Sequence, residues 1–174
     1  MIKFVKLIRA DNWVKNLFIF LPLFFSGELL NTNKFTVTLI SALGFCFITS
    51  CVYIINDIFD IDFDKNHPDK KHRPIASGII SVNNSLVIGI PLLIVGLLLL
   101  WVYSMESFLF GIIYFIINVF YSITLKHIPI IDFVIISIGF VIRILIGGVV
   151  AEVELSQWII IMVFLLSLFL AVTK

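Results

Sequence analysis

Apolar runs of roughly 20 residues, the length a helix needs to cross a ~30 Å hydrocarbon layer, recur along this chain with only short polar connections between them. They fall at 13–30, 35–59, 86–103, 108–125, 131–150 and 155–174. Lipid offers backbone N–H and C=O groups no partner, so each run must satisfy its own as a helix, and the expected fold is all-α, a polytopic membrane bundle of about six spans. Composition excludes a soluble domain: 61% of the 174 residues are hydrophobic and 13% are charged, against roughly a quarter charged in ordinary soluble proteins. A net charge of +1 supplies no basic field for nucleic acid, so the placement of the charges carries the information. Cys46 and Cys51 sit in one apolar run. Their spacing suits neither a disulfide framework nor a zinc knuckle, and they read as helix packing.

The cations alternate in position. Lys3, Lys6, Arg9 and Lys15, then Lys65, Lys70, Lys71 and Arg73, then Lys126 fall on one side of the expected membrane, with only Lys34 on the other. The positive-inside rule therefore places the N-terminus in the cytoplasm, in agreement with Glu28, Glu106, Glu152 and Glu154 on the opposite side. No small-residue cleavage site follows the basic start, which argues against a cleaved signal peptide. The last run ends at Lys174 as it would re-emerge, so 1–174 reads as the N-terminal part of one longer intramembrane domain.

Polar residues inside spans are costly in hydrocarbon and face a cavity or a partner. On the second run Thr49, Tyr53, Asn56, Asp57, Asp60 and Asp64 share an arc of about 100°, while Asp62 points elsewhere. Carboxylates gathered at one end of a membrane helix repel one another and need cations. Two explanations stand: an acidic helix end solvated by water, or a Mg²⁺ site at Asp57, Asp60 and Asp64, since Mg²⁺ binds through one or two carboxylates plus substrate phosphates. An EF-hand is excluded, because Lys65 stands where the loop needs Gly and Lys71 where it needs a bidentate Glu. His67 and His72 lack the partners and the spacing of a zinc site.

The basic loop that follows contains Lys70, Lys71 and Arg73. It is either purely topogenic or a phosphate-binding loop. Arg73 is the stronger phosphate candidate, because a guanidinium makes bidentate contacts and Pro74 holds its backbone extended or in a turn. On the fourth run Tyr114, Asn118 and Tyr121 share an arc of about 60°, as interhelical glue or as a cavity wall. On the fifth, Asp132, Gly139, Arg143 and Gly147 share a face. Arg143 lies roughly 16 Å along the axis from Asp132, too far for a pair. It either snorkels toward Glu152 or Glu154 or faces an anionic cavity, to which the N-terminal lean of helical side chains points it.

These residues carry a resemblance. Asn56-Asp57-Ile58-Phe59-Asp60-Ile61-Asp62-Phe63-Asp64 resembles the NDxxDxxxD signature of the UbiA superfamily of intramembrane prenyltransferases. Asn12-Trp13-Val14-Lys15-Asn16, His67-Pro68, Arg73-Pro74-Ile75-Ala76-Ser77-Gly78, Tyr121 through Lys126 with Asp132, and Gly139 through Arg143 resemble its branch that transfers phosphoribose to decaprenyl phosphate. The resemblance runs the length of the chain but covers only the first part of a family protein. It departs at Ala10, where the branch pattern has Pro. It implies nine helices around a cavity open to the cytoplasm and to lipid, of which this chain supplies about six. It implies Mg²⁺ as cofactor, metal and diphosphate roles for Asn56, Asp57, Asp60 and Asp64, and a donor-phosphate contact for Arg73.

The activity expected on that basis is Mg²⁺-dependent transfer of 5-phosphoribose from phosphoribosyl diphosphate to a polyprenyl phosphate, at the cytoplasmic face of the cell (inner) membrane. Lys15, Asn16, Tyr53, Lys70, Lys71, Arg73, Tyr114, Asn118, Tyr121, Lys126, Asp132 and Arg143 are the candidate substrate-binding residues. The acceptor phosphate is already ionised and demands no strong base, whereas bringing two polyanions together demands cations. The alternatives are an aromatic prenyltransferase using a prenyl diphosphate and a non-enzymatic cation channel or transporter subunit. Residues 1–174 alone are expected to insert without turning over.

Overall fold

A computed structural model describes residues 2–128 and 130–173, the side chains of 2, 3 and 127 excepted. The Lys3 side chain and Lys174, both named above, lie outside the described residues. Every element among the described residues is helical: α1 (Ile2–Leu7), a 3₁₀ segment (Ala10–Phe20), α2 (Leu21–Phe25), α3 (Thr32–Phe59), α4 (Ile61–Asn66), α5 (Val82–Tyr103), α6 (Met105–Ile123), α7 (Ile131–Val150) and α8 (Gln157–Val172), with single 3₁₀ turns at Lys70–His72 and Leu125–His127. Helices α3, α5, α6 and α7 are each long and apolar enough to cross a membrane, and α8 is a shorter apolar helix.

The first expected span, 13–30, takes a different form. It begins as an 11-residue 3₁₀ helix and ends as a 5-residue α-helix. Pro22 has no N–H to return to the Phe18 carbonyl, and the Leu21 N–H takes that carbonyl instead, with the tighter 3₁₀ spacing. Arg9 enters the segment in the left-handed region, φ 49° and ψ 51°. Runs of 3₁₀ helix longer than about three or four residues are uncommon and need outside support. Trp13 Nε1 donates to Ser50 Oγ at 3.0 Å, and Asn16 Nδ2 donates to Cys46 Sγ at 3.1 Å and Thr49 Oγ1 at 3.3 Å. On the other side the backbone of Ile19 rests on Gly147.

Helix α3 is the central post. It crosses α5 where Gly44 and Gly96 meet: a Cβ on Gly96 would lie 2.5 Å from the Gly44 carbonyl oxygen, so small residues let the two backbones close up. Phe45, Ile48 and Val52 of α3 form the core with Ile19, Leu100, Tyr114, Ile142 and Ile146. Cys46 and Cys51 are buried and free, as the packing reading expects. Val87, Val102, Phe120, Trp158 and Phe169 on α5, α6 and α8 are more than half exposed, the surface that lipid covers. Asp60, at φ −95° and ψ 5°, ends α3 and opens α4. The acidic run therefore lies on two helices rather than one continuous stripe.

Candidate active site

The C-terminal end of α3 faces a cavity of about 670 Å³ lined by the 3₁₀ segment, α3, α6, α7, α8 and the loop after α4. Asp57, only 1% exposed, lies behind the lining. Its Oδ1 accepts from Arg9, and from Arg73 Nη1 at 3.2 Å. The same Nη1 donates to Asp64 Oδ2 at 2.6 Å, so one guanidinium joins two carboxylates. Pre-proline geometry places it there: Arg73 is extended, φ −60° and ψ 143°, as Pro74 requires. Asp60 turns to the other side, where Lys126 pairs with Oδ1 and Asn56 Nδ2 donates to Oδ2 at 3.0 Å. Ser122 Oγ holds Asn56 Oδ1 at 3.3 Å.

The acidic motif is thus neutralised from the N-terminal segment, the loop after α4 and the turn after α6. Coulomb repulsion among its carboxylates is what makes this arrangement favourable in a low-dielectric setting. Asp62 is outside it, 96% exposed and 4.0 Å from Lys65. Among the described residues no three His, Cys, Asp or Glu side chains gather around one point; Asp57, Asp64 and Asp60 are each turned to a cation, Arg9, Arg73 and Lys126. Asp57 Oδ2 is nonetheless buried without a hydrogen-bond partner. An orphaned carboxylate oxygen beside Asp64 fits Mg²⁺ held by one or two carboxylates and completed by substrate phosphates, rather than an all-protein cage.

Lys15, Tyr53, Lys70, Tyr114, Asn118, Tyr121 and Arg143 all line the same cavity. The fourth-run stripe is therefore a cavity wall. Asp132 stands behind it, accepting from the Tyr121 hydroxyl at 2.7 Å. Arg143 is 5% exposed and turns inward, away from Glu152 and Glu154. Its Nε donates to Asn16 Oδ1 at 2.9 Å and its Nη1 to the Gly139 carbonyl at 2.6 Å, with Nη2 3.4 Å from the Tyr114 hydroxyl. Phe45, Tyr114 and Phe140 surround the guanidinium at 5.1 to 5.3 Å. All of these partners are neutral, so the cavity keeps the full positive charge of Arg143.

Asn16 lies behind Arg143, outside the lining, and Lys71 is exposed on the loop. His67 shapes that loop, its Nδ1 accepting the backbone N–H groups of Asp69 and Lys70. Sequence reasoning missed Arg9 as a site residue and counted it only as a topogenic charge. Its guanidinium bridges Asp57 and lies 4.9 Å over the Tyr53 ring. The available signal was its place directly ahead of the Asn12–Asn16 motif. Ser122 and the apolar α8 wall of Leu166, Leu170 and Ala171 were also missed.

A family profile described as the UbiA prenyltransferase family matches residues 17–173. The chain belongs to the UbiA prenyltransferase family. Membership of a transferase family displaces the channel-subunit reading. This UbiA-family chain is 33% identical over 174 residues to the decaprenyl-phosphate phosphoribosyltransferase of Corynebacterium glutamicum, covering 98% of the chain and 52% of that relative. It is 32% identical to the Mycolicibacterium smegmatis protein of the same name, covering 98% of the chain and 55% of the relative. It spans about half the length of these curated relatives. In fold it matches a UbiA homolog from Archaeoglobus fulgidus, solved bound to DMAPP and Mg²⁺, with a TM-score of 0.84 at 22% identity over 97% of this chain and 61% of that one.

Proposed function

We propose that the full-length protein carrying this chain transfers 5-phosphoribose from phosphoribosyl diphosphate to a polyprenyl phosphate and releases pyrophosphate. The observation that carries this reading is one cavity lined by Asp60, Arg9, Lys70, Arg73, Lys126 and Arg143, two of whose cations, Arg9 and Arg73, hold the buried Asp57 with its orphaned Oδ2. Two phosphorylated substrates meeting in one place require that many cations. The names of the bacterial relatives supply the substrate classes. The Mg²⁺ in the archaeal structures supports a metal at the acidic motif, with Asp57, Asp60 and Asp64 as the residues to hold it. Bound there, Mg²⁺ would neutralise charge on the departing diphosphate.

The chain's own residues account for the rest. Arg73 and Arg9 occupy the carboxylates now, and an incoming diphosphate offers both guanidinium groups a second anion. Lys126, beside Asp60 and Asn56, does the same from the turn after α6. The acceptor phosphate, already ionised, attacks without a base. The basic end of the bundle faces the cytoplasm, in the cell (inner) membrane.

Membranes containing the full-length protein should convert phosphoribosyl diphosphate and polyprenyl phosphate to a phosphoribosylated lipid and pyrophosphate, and chelation of Mg²⁺ should stop the reaction. The second reading is an aromatic prenyltransferase, favoured by the DMAPP in the archaeal structure and the apolar α8 wall. Consumption of a prenyl diphosphate with alkylation of an aromatic acceptor, and none of phosphoribosyl diphosphate, would establish that reading instead.

A further inference from the structure

Three neighbouring residues on the α6 wall turn donors to the protein: Tyr121 and Ser122 their only hydroxyl hydrogen, and Asn118 one of its two amide N–H groups. Tyr121 Oη donates a hydrogen bond to Asp132 Oδ1 at 2.7 Å. Asn118 Nδ2 donates to the Tyr114 carbonyl at 2.8 Å, and Ser122 Oγ donates to the Asn118 carbonyl at 2.9 Å. Residues 118, 121 and 122 stand at i, i+3 and i+4, on one face of the helix, and all three line the cavity. A phenol or hydroxyl whose single O–H is engaged offers only lone pairs, and an amide whose nitrogen is held to the backbone offers its oxygen. This stretch of wall therefore presents chiefly acceptors, while Arg9, Arg73 and Lys126 of the same cavity lie on Asp57, Asp64 and Asp60.

That division sorts ligand groups. Phosphate oxygens are acceptors and find at most the second Asn118 N–H on this stretch of the α6 wall. A hydrocarbon chain would cover its lone pairs and leave them unsatisfied. A ring hydroxyl donates to them. Resting on the proposed function, we infer that Tyr121, Asn118 and Ser122 form the subsite for the pentose hydroxyls of the donor and so select a phosphoribosyl over a prenyl donor. Asp132 is a positioning residue: by accepting the Tyr121 O–H it keeps the phenolic oxygen an acceptor toward the cavity.

The test uses membranes containing the full-length protein, with phosphoribosyl diphosphate, the same donor lacking one ring hydroxyl, and inorganic pyrophosphate as a competing inhibitor. Removing the hydroxyl that meets Tyr121 should raise the wild-type KM about three- to tenfold, the worth of one neutral hydrogen bond. Tyr121→Phe should show that loss with the complete donor and no further loss with the deoxy donor, while inhibition by pyrophosphate is unchanged. Asn118→Ala should act in the same way on its own hydroxyl. Asp132→Ala, which removes the acceptor and lets Tyr121 turn its O–H outward, should mimic Tyr121→Phe. Additive losses for protein and ligand changes, or a parallel weakening of pyrophosphate inhibition, overturn the subsite. Failure of the wild-type protein to transfer phosphoribose at all overturns the proposed function first, and the subsite with it.

Discussion

Replacing Gly147 with Ala should dislodge the 3₁₀ segment. The added Cβ would stand 2.0 Å from the Ile19 carbonyl oxygen and 2.9 Å from its carbon. Carbon–oxygen contacts settle at about 3.3 Å or beyond, so one backbone must retreat by roughly 1.3 Å. Neither partner is the tip of a side chain that can rotate away. Overpacking a tight interior costs about 1–3 kcal/mol, and a clash of backbone on backbone belongs at the upper end, about 3 kcal/mol. Gly139→Ala is the control on the same helix. Its Cβ would meet Arg143 Nη1 and Tyr114 Cε2 at 3.4 Å, a contact that small adjustments relieve for under about 1 kcal/mol. Unfolding by denaturing detergent in mixed micelles measures both. Trp13 sits in the segment itself, so a background with Trp101 and Trp158 changed to Phe makes its fluorescence a local probe. Gly147→Ala should lower stability well below Gly139→Ala and shift Trp13 emission. Equal stabilities, or an unmoved Trp13 signal, would refute the packing of Ile19 on α7.

In the full-length protein, Asp60→Asn should abolish transfer while expression and insertion survive, because Lys126 and Asn56 lose the charge they converge on; Asp62→Asn, at an exposed position, should retain nearly full activity, and equal losses would mean general damage. Arg9→Gln should raise the donor KM more than the lipid KM, since it removes one of the two guanidinium groups on Asp57; a purely topogenic Arg9 would leave both constants alone. Single-Cys labelling, with Cys46 and Cys51 replaced, should find a Cys at Asn66 shielded from the outside and one at Asn31 accessible; the reverse pattern would invert the assigned orientation.

How much of this was legible in the sequence depended on the range of the interaction involved. Helices α3, α5, α6 and α7 follow from local apolar length alone, and the structure has them near the expected positions. The helix type of the first span was not legible, because hydropathy sees Trp13 to Leu30 as apolar but does not see backbone spacing. Pro22 was a local sign of a break. The 3₁₀ geometry ahead of it depends on Ser50, Thr49 and Gly147, which are distant in sequence. The stripe of Tyr114, Asn118 and Tyr121 was legible as a face, because 3.6-residue periodicity is local. Whether that face was glue or wall depended on what stood opposite.

The same logic explains the acidic motif. Carboxylates at Asp57, Asp60 and Asp64 announce a demand for cations, but their identity is set by tertiary contacts, and three different segments answer: Arg9 ahead of the first apolar run, Arg73 after α4, and Lys126 after α6. Each of these residues also looked like an ordinary positive-inside charge. A charge near the membrane surface can set topology during insertion and still bind an anion afterwards. The two roles are not competitors, so counting Arg9 in the first was no reason to omit it from the second. Arg143 is the opposite case. Buried in a span with only neutral partners, it serves no topogenic purpose, and the expense of placing an unneutralised guanidinium there points to an anion in the cavity it lines.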